Sequence, residues 1–258
     1  HFPGRLIFIG FGSIGQGVLP LILRHVGGLA AERITIVTAD DAGREEAGRY
    51  GIKFINHPLT RENFRHVLDP LVGRGDFVLN LSVDVSSIAL IKLCHEKGAL
   101  YLDTCIEPWP GGYTDSNIPA SRRTNYALRE EVLELRKAWS NGPTAVITHG
   151  ANPGLVSHFV KQALLDIAAG CGRDAGDPKS REDWATLAKD LGIKVIHIAE
   201  RDTQVSNRPK MSGEFVNTWS VDGFVSEGSQ PAELGWGTHE RHFPRDGRQH
   251  DFGRKSAI

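Results

Sequence analysis

The feature that most constrains the fold of this chain is a glycine-rich turn between a short apolar run and a helical stretch. The run occupies residues 6–10, and the motif G-x-G-x-x-G follows as Gly10, Gly12 and Gly15. Residues 16–25 have helical spacing, and residues 33–38 are rich in β-branched side chains. In this context the three glycines permit a tight turn, close approach of a pyrophosphate and close helix packing. The pattern predicts a dinucleotide-binding unit.

Strand and helix patterns continue to alternate over the first 160 residues. Further strands are predicted at residues 52–55, 76–83, 99–103 and 145–148, with helical stretches between them. Apolar runs separated by helices are typical of a parallel sheet that is covered on both faces. We therefore predict an α/β fold, with a Rossmann-type doubly wound parallel sheet.

The strand-and-helix pattern of the sequence changes after Gly170. Residues 171–182 look like an exposed loop, residues 194–200 predict another strand, and helical periodicity is scarce from residue 203 onward. We predict an NAD-binding Rossmann domain at residues 1–168 and the beginning of an incomplete α+β substrate domain at residues 169–258.

Composition narrows the class of partner. Among 258 residues, 30 Lys and Arg balance 31 Asp and Glu, so the basic excess of a nucleic-acid-binding domain is missing. The sequence has no apolar run near the roughly 20 residues that span a bilayer. Its three cysteines form no motif, which predicts a reducing, cytoplasmic setting. Its histidines lack metal-ligand spacing, so we predict no metal site.

Small and polar residues at the predicted strand ends suit a dinucleotide. Asp40 is placed to accept the ribose hydroxyls of NAD and to repel a 2′-phosphate, although Arg44 leaves NADP open. The predicted cofactor-binding residues are Gly10, Gly12, Ser13, Ile14, Gly15, Thr38, Asp40, Leu81, Ser82, Val83, Thr104 and Asn152.

The last third of the chain combines carboxylates with tryptophan. Trp219 is followed by Asp222 and Glu227 in a glycine-bearing segment. Isolated carboxylates usually lie on solvated surface, and the simplest interpretation of Trp219 is a core residue. A tryptophan beside several carboxylates is also a good receptor for an organic cation.

Several sequence segments together resemble one family. They lie at residues 10–15, 80–87, 101–109, 148–154, 219–227 and 230–240. This set resembles the bacterial homospermidine synthases, which belong to the saccharopine-dehydrogenase-like superfamily. The resemblance runs from end to end of the chain. The family's chains are longer, so it also implies that a C-terminal part is absent from this one.

The resemblance implies an NAD-dependent transferase. The family makes homospermidine from two putrescines, or from spermidine and putrescine, through oxidation, imine exchange and reduction, with release of ammonia. It further implies a homodimer. It places Glu107, Glu200 and Glu227 in a diamine pocket and Trp219 against the cationic amine. Asp84 and Asn152 are expected where cofactor and substrate meet.

Two alternatives remain open from the residues alone. One is a net dehydrogenase of the same superfamily, whose carboxylated substrate would need cations such as Arg201, Arg208 and Lys210. The other is a non-catalytic module that only binds NAD. Diamine-dependent chemistry separates both from the transferase.

Overall fold

The computed structural model describes residues 1–201, 203–231, 233 and 240–255. The chain forms two compact units. The first unit comprises residues 1–148 and 203–232, and the second comprises residues 149–202 and 233–258. The predicted domain boundary at residue 168 stays a prediction.

The first unit contains a six-stranded sheet. Its strands are β1 (Leu6–Ile9), β2 (Ile34–Thr38), β3 (Lys53–Asn56), β4 (Phe77–Asn80), β5 (Leu100–Asp103) and β6 (Ala145–Val146). The helices of the whole described chain are α1 (Ser13–His25), α2 (Arg44–Arg49), α3 (Phe64–Leu68), α4 (Ser87–Lys97), α5 (Asn125–Ala138), α6 (Leu155–Gly170), α7 (Arg181–Asp190) and α8 (Val221–Gly228). Helices α6 and α7 belong to the second unit, and the others belong to the first.

The strand order confirms the predicted Rossmann-type fold. The order is β3-β2-β1-β4-β5-β6, and every neighbouring pair is parallel. Because the chain winds outward in both directions from β1 and β4, the direction of winding reverses between these two strands. Ligands of open α/β sheets bind beyond the carboxyl ends of the strands at such a reversal.

Alternation along β1 divides the core of the first unit into two layers. Ile7 and Ile9 pack with α4 and the buried part of α5 on one face of the sheet. Leu6 and Phe8 pack with α1 and α2 on the other face. Burial of both faces explains why the strands are apolar runs rather than half-polar alternations.

The second unit differs from the sequence expectation in two places. Residues 194–200 do not form the predicted strand. Their apolar side chains instead line a groove with α6. Helix α7 was not predicted, although Ser180 and Asp183 form a reciprocal capping box at its start.

The C-terminal segment of the first unit also holds an unpredicted helix. Helix α8 begins after Ser220, whose hydroxyl accepts a hydrogen bond from the Gly223 amide at 2.9 Å. Two glycines within eight residues hid its helical character. Across the part of the chain that the structure describes, each helix is too short or too polar to cross a bilayer.

Candidate functional site

The turn between β1 and α1 has the geometry of a dinucleotide-binding turn. Gly10 has φ +82°, and a Cβ there would lie 2.8 Å from the backbone of Ser82, so only glycine fits. A Cβ on Gly15 would lie 2.9 Å from the Phe11 ring. A Cβ on Gly12 would meet nothing within 4 Å, so this position faces open space where a pyrophosphate can approach.

The first turn of α1 offers free hydrogen-bond donors at the same place. No side chain caps the helix at Gly12, and its first turn contains no acidic residue. Ser13 and Ile14 are exposed. The uncapped N–H groups and the helix dipole favour a phosphate here. These residues fit the diphosphate of a dinucleotide.

The end of β2 supplies the ribose side of the site. Thr38 is buried, and Asp40 is exposed with one carboxylate oxygen accepting from the Ala42 amide at 2.8 Å. Arg44 is engaged elsewhere, because it pairs with Asp41 at 2.6 Å and lies over the Phe54 ring. Arg44, the cation that could bind the 2′-phosphate of NADP, is therefore already paired with another group.

A buried hydrogen-bond chain crosses the carboxyl ends of β4 and β5. The amide and hydroxyl of Ser82 donate to Oδ1 of Asn80, at 3.2 and 2.6 Å. Nδ2 of Asn80 donates to the Tyr101 hydroxyl at 3.2 Å, and that hydroxyl donates to Oδ2 of Asp103 at 2.8 Å. The hydrogen-bond chain ends after β6, where the Thr148 amide donates to Oδ1 of Asp103 at 2.6 Å. Leu81, Val83 and Thr104 flank this chain along the sequence and are partly buried.

Asp103 carries an unusual charge for a fully buried group. Burial raises the pKa of its carboxyl to about 6, although hydrogen bonds from Thr148, Tyr101 and Ser87 oppose the shift. The group is therefore mostly ionised at neutral pH.

Glu107 follows β5, and the pKa of its carboxyl is strongly raised. Burial, followed by the charges of Asp84 and Asp103, raises its pKa to about 8. Its Oε2 atom is buried and has no hydrogen-bond partner among the described residues. An orphaned buried oxygen of this kind is a ready acceptor for a cationic donor.

Asp84 lies across from α8. It adopts the left-handed conformation, with φ +63°. Burial and the charge of Asp222 raise the pKa of Asp84. Helix α8 therefore brings a second carboxylate toward the end of β4.

Glu227, on the same helix, is the fourth carboxylate of an acidic group formed with Asp84, Glu107 and Asp222. Its charge contributes to the raised pKa values of Cys105 and Tyr113. In both groups burial is the largest cause of the shift, and the charge of Glu107 is the next. The structure thus brings together Asp84, Glu107 and Glu227 of the predicted site. Asp222 joins them.

Trp219 lies immediately before α8 and is partly buried. Its ring stands edge to face with Phe224 at 6.3 Å and contacts Gly223. The turn capped by Ser220 thus places the tryptophan on the same element as Asp222 and Glu227.

Two predicted residues lie in the second unit. Asn152 precedes α6, Glu200 lies in the segment after α7, and both are exposed. Their roles stay predictions. Among the described residues, no group of three His, Cys, Asp or Glu side chains has the arrangement of a metal site.

Sequence reasoning missed several residues that shape the site. Ser87 is fully buried, and its Oγ accepts a hydrogen bond from the Glu107 amide. The Tyr113 hydroxyl lies 2.7 Å from the Ile106 carbonyl oxygen and so fixes the segment that carries Glu107. No sequence motif marks Tyr113, because its contact depends on how the 108–124 segment returns to β5.

Two family matches cover nearly all of the chain. Residues 6–146 match the family described as saccharopine dehydrogenase NADP binding domain. Residues 150–258 match the saccharopine dehydrogenase C-terminal domain.

Individual relatives are similar over the whole chain. It is 52% identical to homospermidine synthase of Blastochloris viridis over 261 residues, and 48% identical to that of Mesorhizobium japonicum over 263 residues. A crystal structure of homospermidine synthase from Legionella pneumophila in complex with NAD superposes with a TM-score of 0.83 at 46% identity, covering 99% of this chain and 53% of that one. The chain spans about half the length of the curated relatives, 54% of each. On the match of its nucleotide-binding domain, this chain belongs to the saccharopine dehydrogenase family.

Proposed function

We propose that this chain forms the NAD-binding and amine-binding part of a homospermidine synthase, an NAD-dependent aminobutyl transferase. The observation that most supports this proposal is the group of carboxylates Asp84, Glu107 and Glu227 beside a dinucleotide-binding edge. The identity of 46–52% to homospermidine synthases supports the same assignment.

The electrostatics of the acidic group favour a dication. Every neighbouring ionisable group that shifts the pKa values of Asp84, Cys105, Glu107 and Tyr113 is itself an acid. A carboxylated substrate of a net dehydrogenase would be repelled here. Putrescine, a diamine with two positive charges at neutral pH, would instead relieve the repulsion.

NAD is the cofactor that the first unit fits best. Gly12 and the uncapped start of α1 suit its diphosphate, and Asp40 suits an unmodified ribose. When bound, NAD supplies the acceptor and later the donor of a hydride.

The residues of the chain supply proton handling and cation binding. An ammonium group cannot lose hydride, so a carboxylate must first take a proton from the diamine. Glu107 is the residue we assign to this step, because its pKa of about 8 lies near the operating range. With NAD⁺ bound, hydride loss from the carbon beside the neutral amine would leave an iminium ion. Addition of the second putrescine amine and loss of ammonia would give a substituted iminium ion, and return of the hydride would reduce it to homospermidine. Trp219 holds the cationic amine by cation–π contact.

Spermidine as an alternative aminobutyl donor, a homodimer and a cytoplasmic location are parts of the same proposal. The location is supported by the lack of any cysteine motif in the sequence. Glu200 and Asn152 keep their proposed places in the diamine pocket and at the junction of cofactor and substrate.

The test is a product analysis by mass spectrometry with putrescine and substoichiometric NAD⁺, while NADH absorbance is followed. We expect homospermidine in excess over NAD⁺ without net NADH. Net NADH without triamine would favour a dehydrogenase. Glu227→Gln should weaken the apparent diamine affinity at unchanged unfolding free energy, and an unchanged affinity would remove Glu227 from the pocket.

A further inference from the structure

The hydrogen-bond chain across β4, β5 and β6 has a role beyond holding the sheet. Its members Asn80, Tyr101 and Asp103 are almost completely buried, at 2%, 1% and 0% exposure. Buried side chains of the sheet interior are normally apolar, and a connected polar chain at this depth specifies one arrangement of the groups that it joins.

The two ends of the hydrogen-bond chain lie on the backbone segments that border the proposed cofactor edge. At one end it holds Ser82, whose amide and hydroxyl both donate to Asn80. Ser82 is the residue against which Gly10 packs, with only 2.8 Å available to a Cβ. The spacing between β1 and the end of β4, where the sheet reverses its winding, therefore depends on where Asn80 holds Ser82.

At the other end the chain holds Thr148. This residue has φ +53°, a conformation that few non-glycine residues adopt. Its amide donates to Asp103 at 2.6 Å, so the carboxylate stabilises the turn after β6. Asp103 links Thr148 to the rest of the hydrogen-bond chain, because its two oxygens accept from Tyr101 and Thr148 separately.

We propose that Asp103 is a positioning residue for dinucleotide binding, which acts through Tyr101 and Asn80 on Ser82 and directly on Thr148. This inference rests on the proposed cofactor site but not on the identity of the amine substrate. Asp103 does not contact the cofactor in this assignment. It fixes the backbone that does.

The donors of the hydrogen-bond chain explain why an ionised carboxylate is required at residue 103. Asp103 meets the Tyr101 hydroxyl, the Thr148 amide and the Ser87 hydroxyl, and an ionised carboxylate accepts from all of them. An amide in its place would turn a donor toward one of them. The Tyr101 hydroxyl already accepts from Asn80, so the mismatch would pass along the chain to Ser82.

The test compares Asp103→Asn with Asp69→Asn, whose aspartate pairs with Lys97 at the surface. Affinities for NAD⁺ and NADH are measured by calorimetry without any diamine, and folding is checked by circular dichroism. We expect Asp103→Asn to weaken both NAD⁺ and NADH at least tenfold and Asp69→Asn to change neither. Loss confined to NAD⁺ would mean that Asp103 acts through its charge on the cationic ring, and would overturn the positioning role. Affinities within twofold of the parent would also overturn it.

The pH dependence gives a readout that a general loss of packing would not move. The ionisable groups that face Asp103 are Tyr101, Cys105, Glu107 and Tyr113, and Asp103 has the lowest pKa among them, at about 6. Dinucleotide affinity of the parent should fall as the pH drops through about 6. Asp103→Asn should lack this fall, and a fall that persists would contradict the proposal.

A second variant covers the case in which Asp103→Asn does not fold. Tyr101→Phe keeps the charge of Asp103 but removes the hydroxyl that links Asp103 to Asn80. It should weaken NAD⁺ and NADH equally, and full affinity would overturn the proposal. A parent that binds dinucleotide but makes no homospermidine leaves the positioning role standing while the proposed reaction fails. A parent that binds no dinucleotide overturns both.

Discussion

Ser87 and Glu107 are joined by two hydrogen bonds, one to a side chain and one between backbones. The Glu107 amide donates to Oγ of Ser87 at 3.0 Å, and the Ser87 amide donates to the Glu107 carbonyl oxygen at 2.9 Å. The first residue of α4 thus holds the proposed proton acceptor in place from both sides. A carboxyl group whose pKa is raised by burial must be held in a fixed position. A small rotation would expose it to solvent and restore its ordinary pKa.

Removal of the Ser87 hydroxyl should cost both stability and activity. Ser87→Ala leaves the Glu107 amide without its acceptor, which we expect to lower the unfolding free energy by about 1–3 kcal/mol. Homospermidine formation should fall further than this loss of folded protein explains. Urea denaturation and product analysis measure the two effects.

The neighbouring serine offers a matched control for that experiment. Ser86 caps α4, because its hydroxyl oxygen accepts a hydrogen bond from the Ala89 amide at 3.3 Å. Ser86→Ala should cost about 1 kcal/mol of stability, as for other helix caps, and leave activity per folded molecule near that of the parent. Equal activity losses in the two variants would contradict a specific role for Ser87.

The two ends of the glycine motif should respond differently to an added methyl group. Gly12→Ala fills the open space that we assign to the diphosphate, so NAD⁺ affinity should fall at least tenfold while the unfolding free energy changes little. Gly10→Ala meets the Ser82 backbone in a positive-φ conformation and should destabilise the fold by more than about 1 kcal/mol. Thermal unfolding and calorimetric titration distinguish them. A Gly12→Ala variant with parental affinity would place the diphosphate elsewhere.

The fold and the cofactor edge could be predicted from sequence because their signals are local. The glycines at residues 10–15 and the apolar runs report directly on turns and on strands buried on both faces. The acidic group was predicted only in part. Asp84 and Asp222 are 138 residues apart in the chain, and their approach depends on α8 returning to the sheet of the first unit, which no local pattern reports. Residues 194–200 mislead for the same reason, because an apolar alternation does not reveal whether a partner strand is present.

Cofactor preference should depend on Asp40. Asp40→Ala removes the carboxylate that repels a 2′-phosphate, so the ratio of NAD⁺ to NADP⁺ affinity should fall about tenfold. Asp41→Asn gives a second, independent shift in the same direction, since it weakens the pairing that engages Arg44. The two affinities of each variant are measured by fluorescence titration. A ratio unchanged in Asp40→Ala would sink the assignment of this residue to the ribose.

Trp219 should matter for the amine and not for the cofactor. Cation–π contact with a desolvated ammonium contributes about 2 kcal/mol, so Trp219→Ala should lower homospermidine formation about 30-fold and leave NAD⁺ affinity unchanged. Trp184→Ala is the control, because Trp184 pairs with Lys161 in the second unit. Trp219→Phe should restore part of the activity by restoring a ring. An equal loss of NAD⁺ affinity would count against the assigned role.

The raised pKa of Glu107 fixes the direction of two pH effects. Its folded pKa of about 8 exceeds the ordinary value of 4.5, so the folded state holds an extra proton between these values. Its contribution to the unfolding free energy is therefore greatest below pH 4.5 and is lost as the pH rises toward 8. Activity should move in the opposite sense, because only the ionised group accepts a proton from the diamine.

Asp84→Asn isolates the electrostatic part of that shift. The charge of Asp84 is, after burial, the next largest cause of the raised pKa of Glu107. Removing it should move the acid limb of the pH profile of kcat/KM to lower pH, while Glu107→Gln should abolish activity across the range. Asp69→Asn should leave the profile in place. If the acid limb stays at the parental pH in Asp84→Asn, the group that it reports is not Glu107, since a carboxyl so close to Asp84 must respond to the loss of its charge.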